Sequence, residues 1–172
     1  SFIDYPIKPV SFTEVKIEDN FWKKRIQTND EVTIPATFKK SEETGRISNF
    51  AKAGGLEEGE FEGIFFNDSD VFKIIEGASY SLHKNPNPKL KKYLDEVISK
   101  ISSAQEEDGY LYSNRTINPE KAADSAGLRR WSNLEIFHEL YNVGHLYEAA
   151  VANYEATGER KLLDVAIKNA NL

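Results

Sequence analysis

Residues 133–158 read NLEIFHELYNVGHLYEAAVANYEATG, and this stretch decides the fold. Leu134, Phe137, Leu140, Tyr141, Leu146, Ala149, Ala150 and Tyr154 leave little purely polar circumference, so the pattern predicts a helix over about 133–157 that is enclosed on most sides. At 1.5 Å per residue it would be about 37 Å long. Gly158 is its natural stop, and a further helix begins after Arg160, with Leu162, Leu163, Val165, Ala166 and Ala170 on an apolar pattern. Moving toward the N-terminus, Leu90, Tyr93, Leu94, Val97, Ile98, Ile101 and Ala104 repeat at i, i+3, i+4, i+7, with lysines and Glu96 between them. That is a half-exposed helix over about 88–106, opened by Asn87 as N-cap and Pro88 at the first helical position. Ahead of it, Asn67-Asp68-Ser69-Asp70 precedes Val71, Phe72, Ile74, Ile75, Ala78 and Leu82, which predicts a second enclosed helix over about 70–82.

Enclosed and half-exposed helices therefore alternate. This is the arithmetic of antiparallel helical hairpins stacked around a common centre. The fold class expected is all-α, part of an (α/α)6 barrel or toroid. A regular solenoid is the weaker alternative, because the hairpins are not clear sequence repeats. Asp19 can cap a helix beginning near Phe21 and Trp22, which Pro35 should kink or stop, and a second short helix reaches about Glu43. Val10–Ile17 comes nearest to a strand, so residues 1–18 are expected as an extended N-terminal segment and 19–172 as the helical portion. Gly45, Gly54, Gly55, Gly59 and Gly63 mark 44–63 as a long loop, and 113–130 reads as another. Long ordered loops usually serve a site.

The 172 residues carry a net charge of −6 with Lys and Arg scattered, so the chain lacks the basic footprint of a nucleic-acid or anionic-membrane binder. Charges interrupt every hydrophobic stretch, which rules out a membrane-spanning helix. There is no Cys, which removes disulfides and thiolate chemistry from this chain, and no Met. A chain opening at Ser1 without Met is expected to have lost its beginning to processing or cleavage, and its last helix reads as unfinished.

Several residues could carry chemistry. His138 and His145 are seven positions apart, about 10.5 Å along a helix axis, too far to chelate one ion. The spacing does put both, with Asn142 between them, near one face as a polar stripe that could line a cavity. Satisfied core polar groups are the plainer account. Asp68 and Asp70 could perform acid/base work or hold sugar hydroxyls, although capping and the helix dipole are the plainer account of acids there. Glu106, Glu107 and Asp108 read as solvated charges at a helix end, with Asp108-Gly109 aiming Tyr110 back at the fold. Trp131 suits either stacking on a sugar or packing its loop down. No phosphate-binding glycine loop and no nucleophile elbow is present.

Taken together, GRISNF at 45–50, FNDSDV at 66–71, QEEDGYL at 105–111, HELY at 138–141, Gly144-His145 and YEATG at 154–158 resemble the N-terminal part of glycoside hydrolase family 127, the β-L-arabinofuranosidase family. The resemblance runs from about Val15 to Leu172. It implies an (α/α)6 barrel catalytic domain that releases terminal β-L-arabinofuranosyl groups from plant-type glycans with retention of configuration. The implied machinery is a zinc-bound cysteine nucleophile and a glutamate acid/base, all downstream of this segment, so no catalytic residue, metal ligand or cofactor is expected in this chain itself. His138 carries over as a sugar-binding residue, with Asp68, Asp70 and His145 as cleft-lining candidates. The implied partners are a glycan substrate, the remainder of the catalytic domain and, where apolar faces stay uncovered, a second copy. The expected location is periplasmic or extracellular. Two other readings compete: an α/α-toroid lyase or uronyl hydrolase, left open by Arg129 and Arg130, and a non-catalytic helical interaction module.

Overall fold

The computed structural model describes residues 7–120 and 129–172, and every element among them is helical. Among the described residues the helices with both ends in view are α1 (Trp22–Thr28), α2 (Ile34–Glu43), α3 (Arg46–Ala53), α4 (Asp68–Lys84), α5 (Pro88–Ala104), α6 (Ser113–Ile117), α7 (Glu139–Thr157) and α8 (Lys161–Ala170). Three inner–outer pairs make up the body. α2, α4 and α7 pack side by side in one layer, while α3, α5 and α8 lie behind them. The inner helices α4 and α7 run parallel: Lys73 meets Tyr141 near their starts, and Asn153 donates to Ser79 Oγ at 3.2 Å further along. The outer α5 and α8 keep company in the same way, through Lys91 with Glu159 at 2.7 Å and Gln105 Nε2 with the Val165 carbonyl at 2.8 Å. This two-layered arc is what the hairpin arithmetic leads one to expect of part of an α/α barrel.

The core sits between the layers. Phe50, Phe72, Ile75, Leu94, Ile101 and Leu146 are buried there to 1% exposure or less, all but Phe50 on the apolar stripe their periodicity assigns. Helix ends follow sequence chemistry where the cap is local. Asp19 Oδ1 accepts from the amides of Phe21 and Trp22 at 2.8 and 2.7 Å, and Asn87 Oδ1 accepts from Lys89 and Leu90 at 3.1 Å each. The break expected at Pro35 takes the form of a π turn over Asn29–Thr33 that joins α1 to α2, because the wider turn absorbs the missing proline donor. Glycine is required at 109, where φ is 105° and a Cβ would stand 2.5 Å from the Lys168 carbonyl oxygen; the 105–112 turn lies directly against α8 there.

Five expectations are corrected. Val10–Ile17 forms no strand: it holds a 3-10 turn over Phe12–Glu14, capped by Ser11. A lone short strand has no ladder partner, and Phe12 instead packs edge-on against Tyr80 and His83 at the end of α4. The glycine-rich stretch 44–63 contains α3, whose Ile47, Phe50 and Ala51 are completely buried. The second expected loop contains α6, and its residues 121–128 lie outside the described residues. α7 starts at Glu139 rather than near Asn133, because His138 adopts a left-handed conformation (φ 58°) that cannot continue a helix backward. Nor is α7 enclosed in this chain. Leu140, Val151 and Tyr154 remain 56%, 49% and 40% exposed, and their spacing puts them on one stripe of the helix. Among the described residues, nothing lies within 4 Å of where a Cβ on Gly144 would stand on that same face.

Candidate functional site

Parallel packing brings the N-terminal ends of α4 and α7 to one rim, and aromatic and imidazole groups gather there. The His138 ring stacks on Phe66 at 4.4 Å between centroids, with an interplanar angle of 21°. Phe65 closes one side, standing 5.1 Å from Phe66, 5.6 Å from Phe137 and 6.0 Å from His138. On the other side the Tyr141 ring stands edge-on between the two histidines, 5.5 Å from His138 and 4.7 Å from His145. Lys73, from α4, donates to the Tyr141 hydroxyl at 2.5 Å. His145 Nδ1 lies 3.1 Å from Glu148 Oε2. The face continues along α4 and α7 as an open groove of about 420 Å³ lined by Glu76, Tyr80, Glu148, Val151 and Glu155. In that groove burial and the Glu76 carboxylate push the Tyr80 hydroxyl up to about 12. Flat apolar rings beside hydrogen-bonding imidazole, phenol and ammonium groups can stack on a sugar ring and hold its hydroxyls.

The predicted residues separate. His138 and His145 do share the open face, through Tyr141. Asn142, expected between them on that face, turns inward instead; it is completely buried, and neither amide atom has a hydrogen-bond partner among the described residues. Asp70 pairs with Arg46, Oδ2 accepting from Nε at 2.8 Å. Asp68 is 1% exposed and caps nothing locally: one carboxylate oxygen accepts from the Ser113 amide at 2.8 Å and the other from the Ser113 hydroxyl. Burial raises its carboxyl to about 6 against the opposing pull of those two bonds. The acids after α5 are not merely solvated either. Glu106 and Asp108 both grip Arg130, whose guanidinium lies 4.1 Å above the Tyr110 ring. The Tyr110 amide and Arg130 hold the Asp108 carboxyl below its ordinary value. Arg130 is thus engaged within the chain, which removes half of the arginine pair that left a uronate reading open. Trp131 packs edge-on against Tyr110 at 5.4 Å, bringing its loop down on the fold.

Phe66, Lys73, Tyr141 and Glu139 were not singled out by sequence reasoning. A lysine inside the apolar run Val71–Ile75 and a glutamate within a mostly apolar helical stretch were the available signals. Among the described residues no three His, Cys, Asp or Glu side chains group closely enough to hold a metal ion, and no helix is long and apolar enough to cross a membrane.

Paired helices in two layers, with a ring-lined polar face at one rim, are the architecture of part of an α/α barrel. Sequence comparison narrows this. The catalytic-domain model of the GH127 β-L-arabinofuranosidases matches residues 14–172, and the chain belongs to that family. It is similar to the non-reducing end β-L-arabinofuranosidase of Bifidobacterium longum subsp. longum, at 35% identity over 91% of this chain and 26% of that protein. Among solved structures, a GH127 β-arabinofuranosidase matches at 53% identity with a TM-score of 0.90, over 97% of this chain and 27% of that one. A GH127 β-L-arabinofuranosidase from Geobacillus stearothermophilus T6 matches at 39% identity with a TM-score of 0.85, over 92% and 25%. The chain thus spans about a quarter of the length of these relatives.

Proposed function

We propose that this chain is the N-terminal portion of the catalytic domain of a retaining β-L-arabinofuranosidase that acts on plant-type glycans outside the cytoplasm. Family membership over residues 14–172 carries the reading, and the rim gives it a local basis. In this assignment His138, stacked on Phe66, hydrogen-bonds the terminal sugar, while His145, Tyr141 and Lys73 line the same subsite. Asp68 supports the rim from beneath through Ser113, and Asp70 fixes its edge through Arg46. In this reading the nucleophile, acid/base and zinc ligands belong to other parts of the protein, as the family resemblance implies, and a chain without Cys cannot itself supply a thiolate. When bound there, zinc would hold and activate the thiolate. This chain's own part is to bind and orient the sugar and to form one wall that keeps water out. The uncovered stripe of Leu140, Val151 and Tyr154 is the surface assigned to the rest of the domain.

The test is turnover of an aryl β-L-arabinofuranoside by the complete protein, with the anomer first released identified by NMR. Release of β-L-arabinose, and a fall in kcat/KM of about 100-fold in His138→Ala, is expected for loss of a transition-state hydrogen bond. No turnover of this substrate by the complete protein overturns the reading. The isolated 172-residue chain is expected to be inactive.

A further inference from the structure

The first residue of α7 is a carboxylate in an unusual place. Glu139 is 1% exposed, although its neighbours His138 and Leu140 face outward. Its Oε1 accepts from the Tyr110 hydroxyl at 2.5 Å and its Oε2 from the Trp131 backbone amide at 2.9 Å. Those two partners come from different segments, the 105–112 turn and the loop that leads to His138. That loop is bracketed by two residues with positive φ, Trp131 at 61° and His138 at 58°, the only non-glycine residues so placed among those described. Bulky side chains avoid this region at a cost of about 1–3 kcal/mol each, and they persist there only where surrounding bonds over-determine the backbone. Those bonds can be traced. Glu139 fixes Trp131, the Tyr112 hydroxyl donates to the Phe137 carbonyl at 2.8 Å, and the Asn142 amide donates to the His138 carbonyl at 2.8 Å. The left-handed turn at 138 is what lays the imidazole against Phe66.

We infer that Glu139 is a positioning residue: it holds the 131–138 loop in its strained form and so sets the orientation of His138 on the sugar-binding face. The sugar-binding half of this statement rests on the function proposed above. The loop-holding half does not. Glu139 acts here as a double acceptor and not as a charge that meets substrate. A glutamine can keep an oxygen on the Trp131 amide while its amide donates to the Tyr110 hydroxyl, so it should restore what alanine loses.

In the complete protein, Glu139→Ala should lower kcat/KM on the aryl arabinofuranoside by about 30-fold, and Glu139→Gln should recover most of that. In a His138→Ala background, Glu139→Ala should cost no more than about 2-fold, because its effect runs through that ring. A role confined to general stability would give the same fold-loss in both backgrounds, and a role for the charge itself would make Gln as damaging as Ala; either result overturns the inference. Where Glu139→Ala fails to fold, Tyr110→Phe removes a single donor and should show the same non-additivity with His138→Ala at about 5-fold. An activity-independent readout separates this from the functional proposal. Trypsin should cut Glu139→Ala or Tyr110→Phe after Arg129 or Arg130 at least several-fold faster than the parent, with fragments assigned by mass. Unchanged cutting overturns the loop-holding claim whatever the enzyme's substrate proves to be, and faster cutting in a protein without arabinofuranosidase activity overturns the function alone.

Discussion

The interlayer core and the rim hold together by different physics. Between the layers, Phe72, Ile75, Leu94 and Leu146 form a dry apolar contact in which stability scales with volume and area and direction counts for little. At the rim, buried Asp68, Ser113, Tyr110, Tyr112 and Glu139 each hydrogen-bond to partners distant in sequence, and the backbone carries its strained residues there. A core of the first kind tolerates isosteric exchange. A rim of the second kind tolerates little, because each bond fixes an angle as well as an energy. The molecule keeps its stability and its geometry in separate places.

Substitutions can break or sharpen this contrast. The largest effect expected is in the core: Phe72→Ala should cost about 3–5 kcal/mol of unfolding free energy in denaturant titration and leave KM of the surviving folded protein unchanged. Next comes Asp68, whose carboxyl burial raises to about 6. The folded form then binds a proton the unfolded chain releases near 4, so stability from this group is present at low pH and lost as pH rises from about 4 through 6. The parent should therefore gain about 2–3 kcal/mol relative to Asp68→Asn as pH falls from 7 to 4, read from paired thermal melts. A constant difference across that range would show the group to be solvated. Smaller still is Tyr141→Phe, which removes the acceptor for Lys73. It should raise KM about 5-fold by steady-state kinetics while leaving the melting temperature within about 1 °C. An effect of the same size, about 1 kcal/mol but confined to stability, is expected for Asn87→Ala, which deletes a local cap on the core side of the contrast.

Legibility divides along the same line. α5 could be read nearly to the residue, since its stripe, its Asn87 cap and its Pro88 are all local signals. α4 and α8 followed from their apolar spacing, and the two-layered plan from the alternation. What was missed depends on partners far along the chain. α3 hides among glycines, yet Asn49 secures the loop after it by exchanging hydrogen bonds with Glu62 at 2.9 and 3.0 Å. Asp68 looks like a helix-start acid until Ser113, forty-five residues later, occupies both its oxygens. The start of α7 depends on a left-handed His138 that no periodicity encodes. His138 itself could be named as a candidate, but the ring beneath it, the phenol beside it and the carboxylate that sets its loop become visible only in three dimensions.

The uncovered stripe on α7 also has a meaning in time. Each inner–outer pair packs chiefly on the pair before it, so the layers can assemble in the order in which the chain is synthesised. On the function proposed above, Leu140, Val151 and Tyr154 are then the sticky edge of a growing object, the surface that a later segment of the domain would find ready. Until it is covered, that edge is where a nascent chain is most exposed to capture by the wrong neighbour.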